Sequence, residues 1–511
     1  MRRRDFLTAA AALAAAACSP DDSLPTQGVG SGSTGLGTTG PEPTTTSSTL
    51  TSSTAAAPEA TVAPVEEPAI DLPDGVFALG IASGDPAADS VVLWTRLIGD
   101  LPDLVPLLWE VAFDEGFLGL SGTGIVDTLA DFAHSAHVVV AGLQPDRWYW
   151  YRFRVGGQVS PVGRTRTMPA AGQSGSGLRI GLGCCQRRDG GYWTAHDDIA
   201  GAGVDLFVWL GDFIYSETSS QPIPGREHRS KDPVDLAGYR ARYADYRSDP
   251  ALQTSSAAQP WVVTWDDHEV FNDYTSATID PGRRADAYQA WWEHQPTRLA
   301  APADTFEIHQ FIDLGSLGRI VVTDTRQHAD GSTLLGQTQR DWLAGALDHT
   351  GSWTVMASSV LVGGLLAPTQ REPLLAYTWD GYPEERAWLA EQLARHPNRI
   401  CVSGDLHVAA ALEVRADPAD RLLPVVATEF IAPAISSSFL DRYEPYLPLI
   451  PLTNAHIDYI EAANGWLLLE LTPGKTTAEF RFVADVTVPS PTLLAGPSYE
   501  ILSGGAMDRS G

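Results

Sequence analysis

Residues 73–168 carry an alternating pattern of apolar and polar side chains that is typical of β-strands. The clearest example lies at residues 148–155, where every second residue is apolar: Tyr149, Tyr151, Phe153 and Val155. Turn-forming residues interrupt the pattern at Gly84-Asp85-Pro86 and at 142–145. Period-two segments separated by turns predict an antiparallel β-sandwich. No clustered acid, base or metal-binding residues accompany this pattern, so we expect a structural module.

From about residue 172, short apolar runs alternate with segments of helical periodicity. Tyr192, Ala195, His196 and Ile199 recur at the spacing of one helix face. The apolar runs, which predict buried strands, lie at 178–182, 206–210, 261–265, 320–323, 353–358 and 400–403. This alternation predicts an α/β domain of layered sheets and helices over residues 172–488. Residues 489–511 are expected to form a C-terminal tail.

Residues 1–18 are typical of an export signal. A run of arginines precedes an Ala/Leu-rich stretch that ends at Cys18. Arg3-Arg4-Asp5-Phe6-Leu7 resembles the twin-arginine signal, and the small residues before Cys18 resemble a bacterial lipoprotein box. We expect export by the twin-arginine route to the periplasm or cell surface. Lipidation of Cys18 and a plain cleaved signal both remain open.

Residues 19–72 are dominated by Gly, Ser, Thr, Pro and Ala. Such a segment buries too little apolar surface to offset the entropy lost on ordering. We therefore expect a flexible linker, which would hold the folded part of a lipidated protein away from the bilayer.

The charge balance argues against nucleic acid and anionic lipid as partners. The chain holds 63 Asp+Glu against 34 Lys+Arg, for a formal net charge of −29. This excess disfavours binding to nucleic acid and docking on anionic lipid, so membrane association is expected only through an N-terminal lipid. Four cysteines exclude a disulfide framework. No apolar run is long enough to predict a membrane-spanning helix.

Polar residues of metal-binding types follow five of the predicted strands. These segments are Cys184-Cys185-Gln186, Gly211–Tyr215, Asp266–Tyr274, Asp324-Thr325-Arg326 and Gly404-Asp405-Leu406-His407. Ligands bind at the carboxyl ends of strands in open α/β sheets, so we expect these segments to meet. Carboxylate and amide oxygens suit hard cations, whereas thiolate, imidazole and phenolate suit transition metals. The mixture predicts a two-metal site of the kind that hydrolyses phosphoesters.

Three of these segments resemble motifs of the PhoD-like alkaline phosphatases, metallophosphoesterases distantly related to purple acid phosphatases. They are Gly-Asp-x-x-Tyr at 211–215, Trp-Asp-Asp-His-Glu-Val-x-Asn-Asp-Tyr at 265–274 and Ser-Gly-Asp-x-His at 403–407. Further similarity at 80–96, 379–383 and 428–438 extends the resemblance over about 75–485. The resemblance implies metallophosphoesterase-type layered sheets with helices, preceded by an immunoglobulin- or fibronectin-like sandwich.

The resemblance also implies a metal pair, Fe³⁺ and Ca²⁺, with other divalent metals open. The residues that it assigns to the metals are Cys185, Tyr215 and His407 (iron), Asp212 (bridging both), Asn272 and Asp405 (the second metal) and Asp267 (a further ligand). His268 would donate a proton to the leaving oxygen or hold a phosphate oxygen. Arg326 would clamp phosphate, since its planar fork matches that geometry.

We therefore expect an exported, monomeric phosphoesterase that cleaves small-molecule or lipid phosphomonoesters or diesters with hydroxide activated by metals. Three alternatives stay open. One is a phospholipase D-type phosphodiesterase on the same scaffold, and another is a catalytically silent, surface-tethered binding protein. The third is a glycosidase that uses Asp266, Asp267 and Glu269 as an acid pair, which would leave the thiol, phenol and imidazole without a role.

Overall fold

The computed structural model describes residues 61–173, 175, 177–303, 306–366, 375–439, 444–489 and 492–510. The predicted signal, Cys18 and most of the predicted linker lie outside the described residues. In the described part, two sheets pack face to face between two sets of helices, and a β-sandwich lies at the N-terminal edge.

The first eight strands build the sandwich. They are β1 (Ile81–Gly84), β2 (Ser90–Arg96), β3 (Leu104–Ala112), β4 (Leu120–Leu129), β5 (Ser135–Ala141), β6 (Trp148–Val155), β7 (Gln158–Val159) and β8 (Gly163–Arg166). Strands β3, β4, β6, β7 and β8 form a five-stranded sheet that packs on β1, β2 and β5. The alternating aromatic residues of β6 are buried in this interface, as their period of two predicts.

Two mixed sheets form the rest of the molecule. Their strands are β9 (Leu178–Gly183), β10 (Leu206–Leu210), β11 (Pro260–Thr264), β12 (Gln310–Asp313), β13 (Gly318–Val322), β14 (Trp353–Ala357), β15 (Arg399–Ser403), β16 (Ala409–Val414), β17 (Ala427–Ile431), β18 (Ile457–Glu461), β19 (Asn464–Leu471), β20 (Lys475–Val483), β21 (Leu493–Leu502) and β22 (Met507–Ser510). The ten-stranded sheet has the order β22-β21-β20-β19-β9-β10-β11-β1-β2-β5, and the seven-stranded sheet β12-β13-β14-β15-β17-β16-β18.

The strands that precede the polar segments are parallel to one another within each sheet. In the ten-stranded sheet β10 pairs in parallel with β9 and β11, and in the seven-stranded sheet β14 pairs in parallel with β13 and β15. The carboxyl ends of parallel strands lie at one edge of a sheet. The segments after these strands are therefore brought to common edges.

Apolar side chains on the facing surfaces of the two sheets form one core, in which Ile180 and Val208 share a cluster with Ile320 and Val355. The helices cover the outer surfaces. They are α1 (Thr194–Gly201), α2 (Leu236–Arg247), α3 (Pro250–Ala258) and α4 (Pro281–His294) on the ten-stranded sheet, with α5 (Gly336–Leu347), α6 (Pro383–Leu393) and the short α7 (Ile450–Thr453) later in the chain. Both faces of the central strands are thus buried, which explains their continuous apolar runs.

Local sequence signals set the starts of the helices on the ten-stranded sheet. Asp235, Asp249 and Asp280 each accept a backbone N–H of the first turn of α2, α3 and α4. Such N-caps stabilise a helix by roughly 1 kcal/mol. Pro250 and Pro281 occupy the first helical position, where the missing N–H has no cost. No helix in the described residues is long and apolar enough to cross a bilayer.

The sandwich and the following domain share a sheet. Strand β1 pairs in parallel with β11, with Ser83 opposite Pro260, so β1, β2 and β5 extend the ten-stranded sheet. Trp94 on β2 donates from its indole nitrogen to the carbonyl oxygen of Glu293 on α4 (3.0 Å). The predicted structural module therefore shares three of its strands with the larger sheet.

Two predicted boundaries need correction. Residues 61–72, expected within the linker, lie on the sandwich: Val62 donates its backbone N–H to Leu120, and Glu67 pairs with Arg154. Residues 493–510, expected within a tail, form β21 and β22 of the ten-stranded sheet. Tyr499 on β21 is buried in the core between the sheets, and the burial of its apolar ring stabilises the ordered strand.

His196 on α1 supplies a prediction about acid stability. It is fully buried, its Nε2 donates to Gln186 Oε1 (2.8 Å), and burial lowers its pKa to about 3. The unfolded chain binds a proton at His196 near its ordinary pKa and the folded chain does not. This contribution to stability is therefore present above about pH 6.5 and lost as the pH falls towards the folded pKa.

Between about pH 7.5 and pH 5, His196 is expected to reduce the free energy of unfolding by about 2 kcal/mol. Urea unfolding at both pH values measures this change. A His196→Gln variant, which cannot titrate, serves as the comparison and should lose correspondingly less stability on acidification. An equal loss in both proteins would contradict the assignment of His196 as a buried neutral side chain.

Candidate metal centre

The loops after strands of both sheets bring their polar residues together. Ligand atoms lie within 4.8 Å of one another in three groups: Cys185 with Asp212 and His407, Asp212 with Asp267 and His268, and Asp266 with Asp267 and Asp405. Asp212 joins the first group to the second, and Asp267 joins the second to the third. The structure thus places seven acidic, thiol or imidazole residues in one continuous cluster, six of which the sequence had singled out as site residues.

The backbone at this cluster is held in an uncommon conformation. Four of its residues have left-handed backbone geometry, namely Cys185 (φ 57°), Asp212 (φ 57°), Asp405 (φ 66°) and His407 (φ 55°). Each such non-glycine residue costs on the order of 1 kcal/mol or more, and such strain concentrates at functional sites. Gly211 has φ 107°, and a Cβ there would lie 2.6 Å from the Cβ of Asp266. The turn after β10 therefore requires glycine.

Cys185, Asp212, Tyr215 and His407 surround one end of the cluster. Tyr215 Oη donates to Asp212 Oδ2 (3.1 Å) and lies 3.0 Å from His407 Nε2. His407 Nδ1 donates to the carbonyl oxygen of Ser438 (3.1 Å), which leaves Nε2 with its lone pair. Burial lowers the pKa of His407 to about 4, so the imidazole is neutral, as a metal ligand must be.

The other end of the cluster is acidic and contains one buried cation. Arg326 is 2% exposed, and its Nε and Nη2 both donate to Asp266 (2.5 and 2.9 Å). Its Nη2 also lies 3.8 Å from Asp267 and 3.6 Å from Asp405. Two donors of Arg326 are thus occupied by a neighbouring carboxylate, and its predicted role as a phosphate clamp stays a prediction.

Buried oxygen atoms without partners show that the residues fit cations. Among the described residues, Asp267 Oδ1 and Asp405 Oδ2 are buried and have no hydrogen-bond partner. Burial, followed by repulsion from neighbouring carboxylates, raises the pKa of Asp212 and of Asp405 well above the usual range. Bound cations would satisfy these oxygens and relieve the repulsion.

The predicted ligand Asn272 is exposed at the margin of the site. Its amide nitrogen donates to the carboxylate of the adjacent Asp273 (2.8 Å), so its assignment to the second metal stays a prediction. The two adjacent cysteines lie in different surroundings, because Cys185 joins the cluster. Cys184 is fully buried, with its Sγ 3.6 Å from the carbonyl oxygen of Ala432 in the core.

Sequence reasoning missed Glu217. Its Oε2 accepts from His268 Nδ1 (3.0 Å), and its Oε1 accepts from the backbone N–H of Asn272 (2.8 Å). The only sequence signal was its position two residues after Tyr215, in a loop that already carries two predicted ligands. Tyr377 was missed too, and its ring centroid lies 5.5 Å from the guanidinium of Arg326.

Glu269 supports the loops and takes no part in the cluster. Its buried carboxylate accepts from the backbone N–H groups of Asp212 (3.1 Å), Phe213 (2.5 Å) and Asp266 (2.9 Å). It therefore joins the turn after β10 to the turn after β11. With Glu269 held by three backbone donors and Asp266 held by Arg326, neither carboxylate is free to act as the acid of a glycosidase.

Comparison with known proteins gives this cluster its context. The family model of the PhoD-like phosphatases matches residues 180–480, and the model of the PhoD-like phosphatase N-terminal domain matches residues 63–169. The chain belongs to the PhoD-like phosphatase family. As a PhoD-like phosphatase it is a phosphoric ester hydrolase, which excludes the binding-protein and glycosidase alternatives.

Individual relatives agree with this membership of the PhoD-like phosphatases. Alkaline phosphatase D of Bacillus subtilis (strain 168) is 34% identical over 468 residues, which is 83% of this chain and 80% of that protein. A solved structure of PhoD superposes with a TM-score of 0.81 at 32% identity, covering 87% of this chain and 94% of the other. The predicted fold, layered sheets and helices preceded by a β-sandwich, is confirmed.

Proposed function

We propose that the protein is an exported, alkaline phosphatase D-like enzyme that uses two cations to hydrolyse phosphomonoesters or phosphodiesters of small molecules. The observation that supports this proposal most strongly is the continuous cluster of Cys185, Asp212, Asp267, Asp405 and His407, with buried oxygens that lack partners. Paired cations can stabilise both the attacking and the leaving oxygen of a phosphoester, and Asp212, which two of the ligand groups share, would help to hold both cations.

The donor set suits two different cations. We assign Fe³⁺ to the end of the cluster that offers thiolate, phenolate and imidazole from Cys185, Tyr215 and His407. We assign Ca²⁺ to the end that offers oxygen ligands, with Asp267, Asp405 and Asn272 as candidates. When bound, such a pair lowers the pKa of water and offsets the charge that develops on the phosphoryl oxygens.

His268 is suited to donate a proton to the leaving oxygen. Burial alone would lower its pKa, but the carboxylates of Asp267 and Glu217 raise it above the ordinary value. This shift favours the protonated imidazole, which can donate to the departing alkoxide, otherwise a poor leaving group. Arg326 supplies fixed positive charge beside Asp267 and Asp405, where the phosphoryl group would lie.

Hydrolysis of p-nitrophenyl phosphate and of its bis ester tests the proposed activity. The purified protein is expected to release p-nitrophenol from at least one ester, and a chelator should abolish the release. The ratio of the two rates assigns the enzyme to monoesters or diesters, and cleavage of phosphatidyl lipids would reveal the phospholipase D-type alternative. Release that survives complete removal of bound metal would refute the proposal.

The proposed binding of Fe³⁺ predicts a visible absorption band. Phenolate or thiolate bound to Fe³⁺ is expected to colour the protein, and Tyr215→Phe should bleach or shift the band because it removes the phenol oxygen. Tyr382→Phe, which removes a phenol outside the cluster, is the matched control and should leave the spectrum unchanged. A colourless wild-type protein that is active and free of iron would contradict the assignment of Fe³⁺.

We also propose export by the twin-arginine route and attachment through a lipid on Cys18, as a monomer. Export of a folded protein suits an enzyme that binds its metals before it leaves the cytoplasm. Metabolic labelling with a fatty acid, compared between the wild type and Cys18→Ala, tests the anchor. Label retained in the variant or absent from both proteins would rule the anchor out.

A further inference from the structure

We propose that Glu217 is a positioning residue for the reaction: it holds the imidazole of His268 in the orientation that delivers a proton to the leaving oxygen. This inference rests on the proposed role of His268, and it assigns a second residue to that step. Glu217 belongs to the loop after β10, whereas His268 belongs to the loop after β11. The interaction therefore also sets the distance between two loops that carry candidate ligands.

The hydrogen bonds of Glu217 define the orientation of the imidazole. A carboxylate oxygen can only accept, so His268 Nδ1, 3.0 Å from Glu217 Oε2, carries a proton. Nε2 is then the ring nitrogen left for the substrate. One ring nitrogen lies within 4.8 Å of ligand atoms of Asp212 and Asp267, so the imidazole borders the cluster.

Two further contacts hold the imidazole of His268 and the backbone of Glu217 in place. The imidazole stacks on the ring of Tyr215 at a centroid distance of 4.1 Å and an angle of 30°, which restricts its tilt. Arg187 Nη2 donates to the backbone carbonyl oxygen of Glu217 (2.8 Å), which anchors the loop from its other side. The side chains of His268 and Glu217 are 12% and 27% exposed, so water competes poorly for the bond between them.

The second carboxylate oxygen of Glu217 accepts a different hydrogen bond. Oε1 accepts from the backbone N–H of Asn272 (2.8 Å), in the turn that follows His268. One carboxylate thus fixes both the imidazole and the turn beyond it. Replacing Glu217 with glutamine keeps the shape of the side chain but leaves one oxygen to accept where two acceptors are needed.

The dependence of the rate on the leaving group distinguishes a positioning role from a purely structural one. A proton donor matters most when the departing alkoxide is strongly basic, and least when it is a stabilised phenolate. Glu217→Gln is therefore expected to lower kcat about 10- to 100-fold on an alkyl phosphate, the range found for residues that orient active-site groups. On p-nitrophenyl phosphate the loss should be several-fold smaller, with KM and bound metal unchanged.

A double-mutant cycle completes the test. If Glu217 acts through His268, then Glu217→Gln in a His268→Ala background should cause no further loss. Glu227→Gln, an exposed acidic residue of the same loop region, is the matched control and should behave as the wild type on both substrates.

Equal losses on both substrates, additive effects in the cycle, or loss of bound metal in Glu217→Gln would overturn the positioning role. So would a Glu217→Gln variant with unchanged rates. A wild-type protein that cleaves neither ester would instead refute the proposed function itself, so the two failures are distinguishable.

Discussion

Replacing Asp212 with asparagine is expected to abolish hydrolysis of phosphomonoesters and phosphodiesters alike. Asp212 is the residue that the Cys185–His407 group shares with the Asp267–His268 group. Asparagine keeps the shape but removes the charge and one of the two oxygens, so the two ends of the cluster lose their common ligand. The loss should exceed ~100-fold, the upper range for residues that only orient ligands.

The test measures kcat/KM on p-nitrophenyl phosphate and its bis ester, with bound metal determined in the same samples. Asp348→Asn is the matched control, because Asp348 is an exposed aspartate that pairs with His396 away from the cluster. The control should retain full activity and metal. Retained activity in Asp212→Asn would end the assignment of Asp212 as the shared ligand.

The largest expected effect on stability comes from separating Asp266 and Arg326. Asp266 is 1% exposed and Arg326 is 2% exposed, and they are joined by two hydrogen bonds. Removing one partner of a buried pair costs about 3–5 kcal/mol. Here two donors of Arg326 would lose their acceptor, and only the more distant carboxylates of Asp267 (3.8 Å) and Asp405 (3.6 Å) would face its charge. Asp266→Ala is therefore expected to lower the free energy of unfolding by that amount, as measured by urea denaturation.

An exposed ion pair provides the comparison for this prediction. Lys475 and Glu500 are 41% and 42% exposed and lie at the margin of the ten-stranded sheet. Glu500→Ala should cost less than about 1 kcal/mol, because water screens exposed pairs. A loss of similar size in Asp266→Ala would show that water, or the carboxylates of Asp267 and Asp405, replaces Asp266 as the acceptor for Arg326. That result would contradict the importance of the Asp266–Arg326 pair for stability.

The local parts of the fold were accessible from sequence, but the pairing of distant strands was not. The apolar runs that became β9, β10, β13 and β15 were recognisable because both of their faces are buried. Strand β21 was missed because Leu493 and Leu494 are exposed, so the segment shows no buried face at its start. The continuation of the sheet from β11 into β1 depends on contacts between distant residues, which local periodicity does not encode.

The same division applies to the metal centre. The segments that carry Cys185, Asp212, Asp405 and His407 were recognisable because each follows a parallel strand, at the carboxyl edge of one of the two sheets. The resemblance to the PhoD-like phosphatases then selected the individual residues. Glu217 was missed because its contact with His268 depends on the path of a long loop. The pairing of Arg326 with Asp266 was also hidden, since it depends on the distance between the two sheets.

Removal and return of the metals tests most directly whether the strand-end loops form one metal centre that hydrolyses phosphoesters. The wild-type protein would be stripped with a chelator, its metal content measured, and iron and calcium restored while hydrolysis of p-nitrophenyl phosphate and its bis ester is followed. We predict that activity disappears with the metals and returns as they bind to the stripped chain. Full hydrolysis by protein without bound metal would contradict the central claim.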